Sequence, residues 1–206
     1  TKSYGEGGFD AFLVKLGSSG SLEWNITFGG NDHEFSNGIA IDDSDNIYII
    51  GTTEGFGVNQ TDVFVAKYNS SGYQLWNLTW GGDYNDYGKA ITLDTLGNFY
   101  VTGHYSNEAI ADPDLFLLKY SPNGSLQWSK SWGGNSDEWG EDVVIDESNN
   151  IYITGFTDSF GEGSSDVLLV KFNASGEFEW YRTWGGINFE KGCGLCLDDV
   201  KNIYIT

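Results

Sequence analysis

Asp10, Asp62, Asp114 and Asp166 stand 52 residues apart, and the chain around them repeats at the same step. Lys15, Lys67, Lys119 and Lys171 keep that interval, as do Trp24, Trp76, Trp128 and Trp180. The Gly pairs beginning at Gly29, Gly81, Gly133 and Gly185 follow it, with Tyr48, Tyr100, Tyr152 and Tyr204, and Asp42, Asp94, Asp146 and Asp198. The copies span 10–61, 62–113, 114–165 and 166–206 without an insertion or deletion. A unit of this size buries its apolar face only by stacking on the next copy. Repeats of roughly 40–50 residues with four strands each point to propeller blades.

The strands are legible inside each copy. Asn150 to Phe156, Asp166 to Phe172 and Glu177 to Trp184 are extended runs, preceded by a fourth that ends at Asp146. The run Asp62 to Tyr68 is apolar on both faces, with Val63 and Val65 on one and Phe64 and Ala66 on the other. Such a strand must be covered twice, which is the position of a blade between blades. The outer run alternates, placing Leu22, Trp24, Ile26 and Phe28 on one side. Asp42 to Asn46 and its three counterparts read as tight turns, since Asp and Asn tolerate turn conformations. Sixteen strands and no helical period predict an all-β fold: a β-propeller of four four-stranded blades in one domain, residues 1–206.

The pattern D-x-F-x-x-K-Y, G-x-x-x-W, W-G-G, D-x-x-x-N-I-Y-x-T-G resembles the SBBP beta-propeller repeat, four times over the whole chain. Its strand and turn order is also similar to NHL-type propellers. The resemblance implies membership of large exported or surface proteins of bacteria and archaea, and it transfers no signature catalytic residue.

The phase of the repeats suggests how a ring closes. The chain opens with strands three and four of a blade and ends with strands one and two. Pairing of the N- and C-terminal strands would complete a fourth blade and leave no open edge. The alternatives are a segment of a larger ring and a strand-exchanged assembly, in which each copy completes its neighbour. The chain begins at Thr1 without Met and stops within a strand pattern, which reads as a processed or excised piece of something longer.

Thirty acidic residues against ten basic give a net charge of −20. Such a polyanion repels phosphates, so nucleic acid and anionic membrane surfaces are disfavoured partners. No apolar run approaches the ~18 residues of a membrane span.

Chemistry-bearing residues are few. His33 and His104 occupy unrelated repeat positions and read as loop or strand residues rather than bases. Cys193 and Cys196 form a single C-x-x-C with no second pair for zinc, and Cys196 falls at the slot of Ala40, Thr92 and Val144, which suggests a buried thiol. Glu34, Asp86, Glu138 and Glu190 place one carboxylate after each Gly-Gly. They could form a ring that holds Ca²⁺, or each could cap its own loop, and capping is the expected role. Asp62 and Lys67, five apart on one strand, face opposite ways, so a buried Lys67 needs a partner elsewhere. Sequons occur at Asn25, Asn59, Asn69, Asn77, Asn123 and Asn173.

These residues predict a non-enzymatic extracellular or cell-surface module, structural or adhesive, whose partners are protein subunits or cell-surface glycans. It needs no cofactor. A glycan or small-ligand binder using loop aromatics such as Tyr84, Tyr87 and Trp139 is the alternative. An enzyme built on the loops ranks third.

Overall fold

The computed structural model describes residues 7–58, 60–106 and 112–206. Its described residues form sixteen strands and no helix. The chain divides into two compact units, Thr1–Gly88 and Lys89–Thr206.

The first unit holds the hairpin β1 (Ala11–Leu16) and β2 (Leu22–Phe28). After it comes an antiparallel sheet of β3 (Glu34–Ile41), β4 (Ile47–Thr53), β5 (Asp62–Tyr68) and β6 (Gln74–Trp80), paired in chain order. Hairpin and sheet share one core, in which Ala11, Leu13 and Phe28 pack with Ile47, Ile49, Phe64, Ala66 and Tyr68. All of β5 is buried, as its two apolar faces require.

The unit boundary falls within β7 (Asp86–Leu93), which joins β8 (Phe99–Tyr105), β9 (Asp114–Tyr120) and β10 (Leu126–Trp132) in a second four-stranded sheet. A third contains β11 (Glu138–Ile145), β12 (Ile151–Thr157), β13 (Asp166–Phe172) and β14 (Phe178–Trp184), and β15 (Leu195–Leu197) pairs with β16 (Ile203–Ile205). Within the second unit, Leu115 and Leu117 share a core with Leu168, Val170 and Phe172. Leu169 packs with Leu195. Burying one such side chain contributes roughly 1.5–3 kcal/mol.

Three four-stranded sheets and two two-stranded ones therefore stand where four blades are predicted. The strands expected to build the fourth blade are present, but as two separate pairs, β1–β2 and β15–β16.

The turns follow the sequence closely. Asp42 Oδ1 accepts the N–H groups of Ser44 and Asn46 at 3.0 and 2.8 Å, and Asp94, Asp146 and Asp198 repeat the pattern. The fourth turn residue is left-handed in each copy: Asp45, Gly97, Asn149 and Lys201. The register of β3 on β4 and of β11 on β12 slips by one residue, which makes Asn37 and Glu141 the extra residues of two bulges.

Phe64, Phe116, Tyr100 and Tyr152 are buried. Trp76 and Trp128 are only half-buried, because the outer strand has no further strand beyond it. Their rings meet Tyr48 and Tyr100 edge-on at 5.9 and 6.2 Å, a contact that Trp180 and Tyr152 repeat at 6.3 Å.

Candidate functional site

Glu34, Asp86 and Glu138 open β3, β7 and β11 directly after a Gly-Gly loop, and Glu190 follows the fourth Gly-Gly ahead of β15. Glu34 Oε2 accepts the Gly30 N–H at 2.9 Å while its Oε1 takes the Thr53 hydroxyl at 2.8 Å. Asp86 accepts from Gly82 at 2.8 Å, Glu138 from Gly134 at 2.6 Å and Glu190 from Gly186 at 2.9 Å. Each side chain thus receives a backbone N–H of its own loop. Among the described residues no group of three or more His, Cys, Asp or Glu side chains is placed to hold a metal ion.

A second carboxylate stands beside each of these, which the sequence pattern alone does not pair. A Cβ built on Gly81 would lie 1.9 Å from Asp62 Oδ1 and 2.6 Å from Asp86 Oδ2. Gly29, Gly133 and Gly185 are wedged in the same way between Asp10 and Glu34, Asp114 and Glu138, and Asp166 and Glu190. The first glycine of W-G-G is required by that close approach. The equal 24-residue spacing from each Asp to the next loop carboxylate was the available signal. Burial pushes the Asp62 carboxyl above its usual range against the pull of the Val58 N–H. Burial, then the charges of Glu138 and Asp112, raise Asp114.

Lys67 does not meet Asp62. It is buried, and its ammonium donates to Tyr48 Oη at 2.5 Å and lies 3.3 Å from Asp42 Oδ2. Lys119 and Lys171 lie 5.0 and 5.5 Å from the ring centres of Tyr100 and Tyr152. The ammonium over a phenol ring recurs, while the carboxylate beside it differs: the turn Asp42 for Lys67 and Glu179 of the outer strand, at 2.9 Å, for Lys171.

One cluster in the second unit draws on three copies and occurs once among the described residues. His104 is buried and stacks on Trp139 at 3.8 Å and 9°. Glu141 receives the Lys191 ammonium at 3.0 Å and that of Lys89 at 4.0 Å, and Lys89 lies 5.6 Å from the Trp139 ring centre. Burial, then the charges of Lys89 and Lys191, bring the His104 pKa down to about 3. The imidazole is neutral at physiological pH and stacks as an aromatic ring rather than as a cation. Trp139 Nε1 is buried with no acceptor among the described residues. Two ammoniums on one carboxylate beside an indole face can attract an anion or a polar ring. The counterparts of Glu141 are Asn37, Lys89 and Cys193, so this chemistry is not shared by the repeats.

Other predicted residues are placed individually. Tyr84 and Tyr87 are half-buried in the first unit, while Trp139 lies in the second. His33 accepts the Phe9 N–H at 2.9 Å. Both thiols are exposed, which corrects the buried reading of Cys196. Its counterparts Ala40, Thr92 and Val144 are only half-buried, because Ile91, Val143 and Leu195 carry the core face of that strand. Asn25 and Asn77 are exposed on outer strands. Asn69 and Asn173 are spent in turns through Oδ1, and Asn173 Nδ2 also donates to Glu177 at 2.9 Å. Asn123 Oδ1 likewise accepts the Ser125 N–H at 3.2 Å. Asn59 lies outside the described residues.

Residues 26–57 match the family model of the SBBP beta-propeller repeat, so the chain carries that repeat. An uncharacterized WD repeat-containing protein of Acanthamoeba polyphaga mimivirus is 26% identical over 68% of this chain, which spans only 13% of that protein. Among solved structures, a gluconolactonase from Xanthomonas campestris superposes with a TM-score of 0.54 at 11% identity, covering 94% of this chain and 61% of its own. A GH43_12 retrieved from a capybara gut metagenome gives a TM-score of 0.46 at 14% identity, over 72% of this chain and 30% of its own. Repeat, sheets and fold relative agree on an all-β, β-propeller repeat protein.

Proposed function

We propose that this chain is a non-enzymatic structural or adhesive β-propeller module of an extracellular or cell-surface protein, with a fourth blade made from its terminal strands. One observation carries the reading. Polar side chains at recurring positions are engaged within their own loop, turn or sheet: the loop carboxylates on Gly N–H groups, the turn Asp on its own turn, Lys67 on Tyr48 of the neighbouring strand. Groups so engaged stabilise a blade, which is the role their recurrence in every copy supports. The net charge of −20 favours protein or glycan partners over nucleic acid. The exposed sequons at Asn25 and Asn77 suit an exported chain.

The second reading, a small-ligand or glycan binder, draws on the cluster of Lys89, Trp139, Glu141 and Lys191, which occurs once rather than at every repeat step, as a ligand site would.

Two measurements test the first reading. Protease added to intact source cells should release peptides of this chain, and the purified protein should not hydrolyse aldonolactones, the first activity to try given the solved relative. Retention inside intact cells overturns the location, and turnover lost in a site variant overturns the non-enzymatic role.

A further inference from the structure

The ion pairs around Glu141 leave positive charge and donors over. Glu141 is the extra residue of the β11 bulge, and a bulge re-aims the side chain it carries. Its Oε1 meets the ammoniums of Lys191 at 3.0 Å and Lys89 at 4.0 Å. Neither approach is aligned as a hydrogen bond, since the same oxygen is buried without one among the described residues. Two ammoniums and one carboxylate leave one positive charge in excess, within a chain of net charge −20. The neutral His104 beside them adds none. The Lys89 and Lys191 side chains are 24% and 27% exposed, so solutes can reach both ammoniums.

The indole is left over in the same way. His104 stacks on Trp139, and the Phe156 ring lies 5.1 Å from it. Trp139 Nε1 is nonetheless buried with no acceptor among the described residues, although an indole N–H out of water ordinarily finds one. Lys89 holds its ammonium 5.6 Å from the same ring. Other copies do not repeat the arrangement. The counterparts of Trp139 are Phe35, Tyr87 and Lys191, none of which has an indole N–H. Asn37, the bulge residue of β3, is engaged by the Gly88 carbonyl at 2.8 Å.

We propose that Lys89, Lys191 and the Trp139 indole N–H form a binding site for a carboxylate, whose oxygens supply the acceptors these donors lack. The proposal deepens the second reading, a small-ligand or glycan binder, and rests on it. All three residues lie in the second compact unit. A carboxylate brings a single negative charge and oxygens that only accept, which matches one surplus positive charge and groups that only donate. A phosphate dianion would set excess charge against Glu141 and the acidic chain. A neutral sugar would satisfy the indole and leave the charge unmatched. The carboxylate can belong to a free organic acid or to an acidic sugar of a glycan, and the probes below separate the two.

The test titrates the isotope-labelled chain with glucuronate, acetate, glucose and inorganic phosphate. It reads the indole N–H resonance of Trp139, assigned as the one absent from Trp139→Phe, and takes affinities by calorimetry. Glucuronate should move that resonance, with an affinity that falls as salt rises. Trp139→Phe, which installs the residue found at Phe35, and Lys191→Gln should each weaken glucuronate binding at least about tenfold with circular dichroism unchanged. Binding of glucuronate and acetate alike assigns a free organic acid, and binding of glucuronate alone assigns an acidic sugar; both bear the site out. Glucose bound as tightly as glucuronate, or phosphate bound more tightly, overturns the carboxylate and leaves the ligand-binding reading standing. A Trp139 resonance that none of the four probes moves at about 10 mM overturns both. Should a variant fail to fold, the resonance of the parent decides alone, and its indifference to glucuronate ends the proposal.

Discussion

Lys67 and Tyr48 face each other across β5 and β4, with the ammonium 2.5 Å from the phenol oxygen and 4.5 Å from the ring centre. The strand register brings them together, and Asp42 at the end of the same turn completes the charge balance. Lys67→Met should cost about 1–3 kcal/mol, since it strips a buried phenol of its donor. Tyr48→Phe should cost about 1–2 kcal/mol by leaving the ammonium with Asp42 alone. Urea midpoints of the two variants and of the double variant check this, and the double variant should lose less than the sum.

The two glycines of W-G-G should differ sharply. Gly81→Ala forces a methyl group against two carboxylates and should cost about 1–3 kcal/mol or more. A Cβ on Gly82 meets nothing within 4 Å, so Gly82→Ala should be neutral or stabilising by up to about 1 kcal/mol. Thermal melts of the pair decide it.

His104 should make the fold acid-sensitive. Its pKa is about 3 in the folded chain against 6.5 when unfolded. Below pH 6.5 the unfolded state binds the proton and the folded state does not. Stability from this group is therefore complete above pH 6.5 and lost as pH falls towards 3, by about 1.4 kcal/mol per unit. His104→Phe, which installs the residue found at Phe156, should flatten the melting temperature between pH 6.5 and 4.5 relative to the parent.

Sequon occupancy should follow the hydrogen bonding. In a glycosylating host, Asn25 and Asn77 should be modified, and Asn173, whose amide is held by Glu177, should not. Peptide mass spectrometry reads this directly.

Most of the strand pattern was legible because every position is read four times: Asp166–Phe172 is the observed β13, and Glu177–Trp184 starts one residue before β14. The turn at Asp42 was legible for the same reason. What escaped depends on contacts between segments. Asp62 lies against the loop of Gly81 and Asp86, a proximity created by folding. The bulges at Asn37 and Glu141 change which side chains share a face, and strict alternation does not foresee them. The cluster around Trp139 is built from residues of one copy each, so the repeat comparison that exposed the blade concealed the site.

That the recurring carboxylates build loops rather than hold a ligand is tested most directly by thermal melting of the parent and Glu138→Gln, each with calcium and with chelator. The amide removes the charge that accepts from Gly134 and Thr157, so the variant should melt lower in every buffer, by about 1–3 kcal/mol of stability. Calcium should leave both curves unmoved. A parent that melts higher with calcium, reversed by chelator and abolished in Glu138→Gln, would contradict it and make these side chains ligands.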